Sequence, residues 1–462
     1  MQAFSRALKK WIHDDPCPEC GHNRAAHRPD GQGCTYQRFD PNEPGYPTHE
    51  CPCKIEYGIY DPQPFRPPVF MSGEKAVNMT NEEAQAFLNE IIGTNSSKEN
   101  TIEAETCLNN GVEYFEKGNL DHAISEFNKA IQLNPNYADA YFNRGLAYAS
   151  KGDLDRAIRE YDQAIQIYPN DTNAYYWRGL AYAKNGDLDH TIGDWDKAIQ
   201  LNPNYGEAYN NRGIAYADIG DLDRAISDFD KAIQLDPNSA EAYSNRGLAY
   251  AKKDDLDHAI SEYDKAIQLN PNSAEAYYNR GLAYDGNGDH DRAIGDYDKV
   301  IQINPKDAAK DADVYYHRGI AYANMGDQDR AINDYNKVIE INPKDADAYY
   351  NRGLAYEIKG DQDNAISDYD KVIKINRKDA DTYHRRGNVY ANKGDQRHAI
   401  SDYDKAIRLN PYNGGTYYFR GLAYENMGET DKATQDFEKA MELCGKDTEL
   451  CQAAQEELHK LA

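Results

Sequence analysis

Basic residues are scarce in this chain: 52 Lys and Arg stand against 78 Asp and Glu, a formal net charge of −26 over 462 residues. An acidic surface repels polyanions, which argues against nucleic-acid and anionic-membrane partners and favours basic ones, while also keeping a long chain soluble. The imbalance is uneven, because the first 60 residues carry 7 basic and 8 acidic side chains and the excess of acid follows them. No apolar run is long enough to span a bilayer. The segment Met1 to Ile12 lacks the apolar core of a secretory signal and reads instead as a short basic amphipathic helix. Cysteine is also sparse, with five of eight residues confined to 17–53, in spacings suited to metal rather than disulfides. A reducing, cytoplasmic setting fits that usage. No Ser/His/Asp or Cys/His set, phosphate loop or paired-acid arrangement stands out, so the sequence predicts a protein that is not an enzyme.

What the chain has in abundance is one unit repeated. A 34-residue period runs through residues 104–447 as ten copies, interrupted once by a four-residue insertion, Ala308 to Asp311. Self-similarity at this period is the mark of stacked helix–turn–helix units, and such arrays work by presenting a long surface. Each copy holds two helical patterns around a Gly-Asp turn. In residues 240–273, Tyr243, Gly247 and Tyr250 share one helical face, as do Ala259, Tyr263 and Ala266. Large rings alternating with Gly and Ala predict close backbone approach, with a socket for each ring. Asp255 is placed to cap the second helix, and Pro271 closes the unit.

These residues resemble the tetratricopeptide repeat (TPR) family. Residues 138–171 carry the family's pattern at Tyr141, Gly145, Tyr148, Ala157, Tyr161, Ala164 and Pro169. Departures are local: Cys107 and Asn110 in the first copy, Thr191 for an Ala and Arg377 for a Pro. The resemblance implies an all-α fold, a right-handed superhelical solenoid of antiparallel helix pairs, in which first helices line a concave groove. After the tenth copy, residues 448–462 read as an amphipathic capping helix. Only 103 residues precede the repeats and 15 follow them, too few for the catalytic domains often attached to such arrays.

The head, residues 1–72, is rich in Cys, His, Pro and Gly and poor in aliphatic residues. Pro-Cys-Pro-Glu-Cys-Gly at 16–21 is similar to one knuckle of a zinc ribbon, in which a tight turn aims two thiolates at one metal. The predicted ligands are Cys17, Cys20, Cys51 and Cys53, with His27 and Cys34 as alternates or part of a second site. The second pair is C-x-C rather than C-x-x-C, which leaves the ligand set open, and reduced unligated cysteines are the competing reading. A segment this small cannot bury much core without a staple, so structural zinc is the expected cofactor. Residues 73–103 form a linker, with a capping-box pattern at Thr80 to Glu83 opening a short helix.

Helical arithmetic turns the second, fifth, sixth and ninth positions of each first helix away from its buried Tyr. The sixth position carries Asn143, Asn211, Asn245, Asn279 and Asn351, broken by Trp177, His317, Arg385 and Phe419. This ladder resembles the one lining the repeats of O-linked N-acetylglucosamine transferase. A carboxamide offers both donor and acceptor to a peptide backbone; bonding between adjacent helices is the alternative. The fifth position supplies Phe142, Tyr176, Tyr278, Tyr316, Tyr350 and Tyr418, rings suited to binding hot spots or to packing on a neighbouring repeat. The second position is acidic through Asp139, Glu207, Glu241, Glu275, Asp313, Asp347 and Asp381, which suits either a helix N-terminus or a basic ligand. Arg precedes the Gly in nine consecutive copies, Arg144 to Arg420, with an acid in every second helix, so pairing between stacked helices is predicted. The expected function is a non-catalytic scaffold that binds protein or extended peptide, with basic segments favoured. The alternative is a regulatory subunit whose solenoid holds an enzyme while the head engages a second partner.

Overall fold

The glycine at the eighth position of each repeat decides how its two helices meet. A Cβ built on Gly247 would lie 2.9 Å from the Tyr263 ring, and one on Gly213 would lie 2.7 Å from Phe229. Only hydrogen leaves room for the ring, so the predicted socket is a real feature of the packing. The rings it receives, from Phe127 and Tyr161 through Trp195 and Tyr403 to Phe437, are almost wholly buried, and Ala residues on both sides complete the seal. The core is therefore a row of similarly built small cores, one per repeat.

The computed structural model describes residues 100–303, 305, 312–445 and 449–461, all within one compact unit, Thr94–Ala462. The predicted zinc ligands Cys17, Cys20, His27, Cys34, Cys51 and Cys53, the short helix after Thr80 and the insertion Ala308 to Asp311 lie outside the described residues. Among those described there are helices and turns and no strand. A helix at 100–116 and Leu120–Leu133 form the first pair. Eight more pairs follow, from Ala138–Ser150 with Leu154–Ile167 through Ala380–Asn392 with Gln396–Leu409, and Gly414–Asn426 with Thr430–Cys444 closes the series. Every helix packs on its neighbours in sequence, and first helices of successive repeats also touch one another. This is the predicted all-α solenoid.

Local chemistry sets the helix ends. Asp153 accepts the backbone N–H of Arg156 at 3.1 Å, and Asp221 accepts that of Arg224 at the same distance. Asp255 does likewise for His258 at 3.4 Å, so the cap predicted there is present. The preceding turn needs a left-handed residue, supplied by Gly152 at φ 82° and Gly220 at φ 82°. The fifth repeat puts Asp254 there at φ 63°, the one non-glycine residue with positive φ among those described.

Beyond the tenth repeat, helix Glu449–Leu461 lays Ala454, Leu458 and Leu461 against Phe437, Tyr417 and Met441. Cys444 and Cys451 are joined by a disulfide whose Cα atoms lie 5.8 Å apart. The sequence reading assigned no role to this pair, which ties the last repeat to the helix that covers it. Cys107, the remaining cysteine among the described residues, is buried and forms no disulfide. No helix among the described residues is long and apolar enough to cross a membrane.

Candidate functional site

The arginine ladder fixes the stack on which any surface site depends. Arg178 sends Nε and Nη2 to the two carboxylate oxygens of Asp194, at 2.8 and 2.5 Å, and Nη1 to Asp162 at 2.6 Å. Asp194 lies in its own repeat and Asp162 in the one before, so a single guanidinium staples three helices. Arg212, Arg280, Arg318, Arg386 and Arg420 repeat the arrangement. The acids that take the fork, such as Asp228, Asp296 and Asp368, are buried. Burial pushes the Asp194 and Asp334 carboxyls up, a shift that the facing guanidinium only partly offsets. Where the acid is Glu, both arms of Arg246 fall on one oxygen of Glu262, and Arg144 keeps its buried Nε without a partner. The predicted pairing is thus structural, and it accounts for the second-helix acids.

The first-helix contacts run through the positions singled out from sequence. Asn211 donates from Nδ2 to the Tyr176 hydroxyl at 2.9 Å, and Asn351 to the Tyr316 hydroxyl at 3.0 Å. Asn245 donates to Asn210 Oδ1 at 3.0 Å, and Asn210 in turn donates to Glu241 at 3.2 Å. Asn143 donates back to the Asp139 carbonyl at 2.8 Å. Asn279 has no hydrogen-bond partner among the described residues; 35 residues earlier, where Asn211 and Asn351 find a tyrosine, the sequence places Ser244. All five asparagines are half-buried. Each donation uses one N–H, leaving a carbonyl oxygen and a second N–H on Asn211 and Asn351.

The fifth-position rings turn out to be shared between core and surface. Tyr278 lies 6.1 Å from Tyr297, Tyr316 6.3 Å from Tyr335 and Tyr350 5.9 Å from Tyr369, each pairing with the socketed ring of its own repeat. Tyr278, Tyr316 and Tyr350 remain half-buried. Tyr176 is the exception at 5% exposed, wedged between Trp177 and Tyr205. Second-position acids such as Glu207, Glu275, Asp347 and Asp381 are exposed in the first turns of their helices.

Departures from the repeat mark the remaining chemistry on this wall. The twelfth position is Ala in most copies; Asp285 in the sixth and Glu357 in the eighth, like Glu425 in the tenth, depart from it, and neither of the first two was singled out from sequence. A position-by-position comparison with Ala251 or Ala323 would have exposed both. Asp285 bonds His290 Nδ1 at 2.6 Å, whereas Glu357 accepts the Tyr369 hydroxyl at 2.8 Å. His317 and His384 stand where other copies carry Asn and Tyr. Burial pushes His317 down against the opposing pull of Asp313 and Asp285. Burial, with Arg385 adding to it, pushes His384 down to about 4. Among the described residues, no group of three or more His, Cys, Asp or Glu could hold a metal ion.

Comparison with known proteins agrees with this construction. Models described as TPR or tetratricopeptide repeat match residues 111–152, 145–186, 172–205, 195–227, 215–254, 250–288 and 274–307. They also match 325–357, 346–379, 380–413 and 415–447. An uncharacterized protein of Methanocaldococcus jannaschii is 49% identical over 43 residues, covering 9% of this chain, and the chain spans about half, 50%, of that relative's length. Among solved structures, YrrB, a TPR protein with an unusual peptide-binding site, is 26% identical, covering 40% of this chain and 92% of its own at TM-score 0.36. MamA is 33% identical over 36% of this chain and 96% of its own at TM-score 0.34. Yeast Tom70 is 16% identical over 78% and 95% at TM-score 0.35. With matched segments running through most of residues 111–447, each built on the same glycine socket, the chain belongs to the tetratricopeptide repeat family.

Proposed function

We propose that this protein is a non-catalytic scaffold whose first helices hold an extended peptide or protein segment. The observation that carries the reading is the row of half-buried carboxamides with hydrogen-bonding capacity to spare. Asn211 and Asn351 each use one donor on a ring hydroxyl and keep an acceptor and a donor, while Asn279 keeps all of its capacity. A peptide backbone presents the complementary groups at every residue and needs no particular sequence. Half-buried tyrosines beside the ladder add contact area with few torsions to freeze, and the exposed acids favour a basic segment.

Replacing Asn211, Asn245 and Asn279 together with Ala is expected to weaken peptide binding by about 2–3 kcal/mol, from about 1 kcal/mol net per hydrogen bond. Helix content should hold, because the glycine sockets are untouched. Calorimetry on a captured ligand, with circular dichroism beside it, checks both. If the triple variant unfolds yet binds normally whenever folded, the asparagines are staples between helices and the reading fails.

We also propose a structural zinc in the head, supported by the C-P-x-C-G knuckle at Cys17 and Cys20. Metal analysis of the full chain is expected to find about one zinc per molecule. Cys17→Ser with Cys20→Ser should abolish it, and a wild-type protein purified without metal would overturn the assignment.

A further inference from the structure

We infer that the wall between the sixth and seventh repeats seats one cationic side chain, a guanidinium or an ammonium, of the bound segment. The inference rests on the scaffold reading above and adds its anchor point.

Four rings converge here. His317 lies 5.9 Å from Tyr278, 6.5 Å from Tyr297 and 5.5 Å from Tyr316, edge-on to the first and last. Aromatic faces attract cations through the ring quadrupole. Two carboxylates flank the rings. Asp285 stands where other copies carry Ala149, Ala217 or Ala251, with its side chain 16% exposed. Asp313, one turn before His317, is exposed. The imidazole itself adds no charge at neutral pH, because burial holds it deprotonated.

A separate observation points to a missing partner. Tyr297 is fully buried at 0% exposure, yet its hydroxyl has no hydrogen-bond partner. The same hydroxyl two repeats later, on Tyr369, donates to Glu357 at position twelve. Asp285 occupies that position in the sixth repeat but is a methylene shorter and turned to His290. Tyr297 is thus left with a lone pair that an N–H of a bound cation can fill. Buried polar groups rarely stay unpaired, and each that does calls for an explanation. Tyr161 also has an unpaired hydroxyl, but Phe142, Ala149 and Trp177 surround it and no carboxylate stands at its twelfth position. Among the described residues, only the sixth repeat combines the orphan, the rings and the acids.

The test uses the full chain and three labelled probe peptides on one Gly-Ser backbone, carrying three arginines, three lysines or three norleucines. Affinities are read by fluorescence anisotropy. The variant combines Asp285→Ala, Tyr297→Phe and His317→Asn, each a residue that other copies hold at that position, as Ala251, Phe229 and Asn245 do. The arginine and lysine peptides should bind roughly tenfold more weakly to it, and the norleucine peptide should be unaffected. Tyr297→Phe alone guards against misfolding: its melting temperature should not fall, while cationic binding still drops. Unchanged binding of the cationic peptides, or an equal loss for norleucine, overturns the seat while the scaffold reading stands. If no probe binds the wild type, the seat falls, while the scaffold reading stands or falls by calorimetry on its captured ligand.

Discussion

A single histidine shows how far one repeat can depart from its neighbours. His384 takes a position held by Tyr in several copies and is enclosed by the Tyr403 and Phe419 rings, with Asn388 at 3.2 Å and Thr416 at 3.0 Å. Burial first, then Arg385, lowers its titration to about 4, with Asp381 pulling the other way. The unfolded imidazole titrates near its ordinary 6.5. Between those values the unfolded chain binds a proton that the folded chain refuses. Stability from this site is therefore complete above pH 6.5 and is lost as pH falls toward 4. His384→Tyr should flatten that slope relative to wild type, as read from melting temperatures across the interval. Parallel slopes for the two proteins would count against the argument.

At the scale of the element, the guanidinium staple carries the coupling between repeats. Arg246 joins Asp230 in one second helix to Glu262 in the next, and both Arg246 and Glu262 are well shielded, at 17% and 14% exposed. Arg246→Leu strands the Glu262 carboxylate and should cost about 2–4 kcal/mol in urea unfolding, because removing one member of a shielded pair leaves the other uncompensated. Adding Glu262→Leu should return part of that loss. Peptide affinity should change little, since the staple lies between helices. A fully additive double variant would mean that the two side chains do not couple.

Across the whole array, the four-residue insertion between the sixth and seventh repeats is the one break in the period. The stack passes it intact. Arg318 reaches Asp298 across 20 residues where other staples span 16, the difference being the four inserted residues, and it keeps its fork on Asp334. Tyr278 meets His317 across the same junction. Deleting Ala308 to Asp311 should therefore leave both the scattering profile and the melting temperature unchanged. A shifted profile would show that the insertion sets the angle between the two halves.

The fold and much of its chemistry could be read from the residues because their causes are local. Ring, glycine and cap recur within 34 residues, and a socket for Tyr263 at Gly247 needs nothing beyond its own helix pair. The arginine partners were legible for the same reason, with an acid at a constant distance in every copy. Relations between copies were not. Asn211 and Asn279 hold the same repeat position and both precede Arg-Gly, yet one meets Tyr176 and the other has no hydrogen-bond partner among the described residues, Ser244 standing in sequence where the tyrosine would be. Glu357 and Asp285 hold the same repeat position, yet the first pairs with the hydroxyl beside it while the shorter second is turned to His290 and leaves its hydroxyl unpaired. The Cys444–Cys451 bond needed the last two helices to be brought together. The sequence by itself determined the repeat, its core and its staples. Only the stacked structure decided which polar atoms keep unused bonding capacity, because that depends on side chains about 35 residues apart meeting across helices.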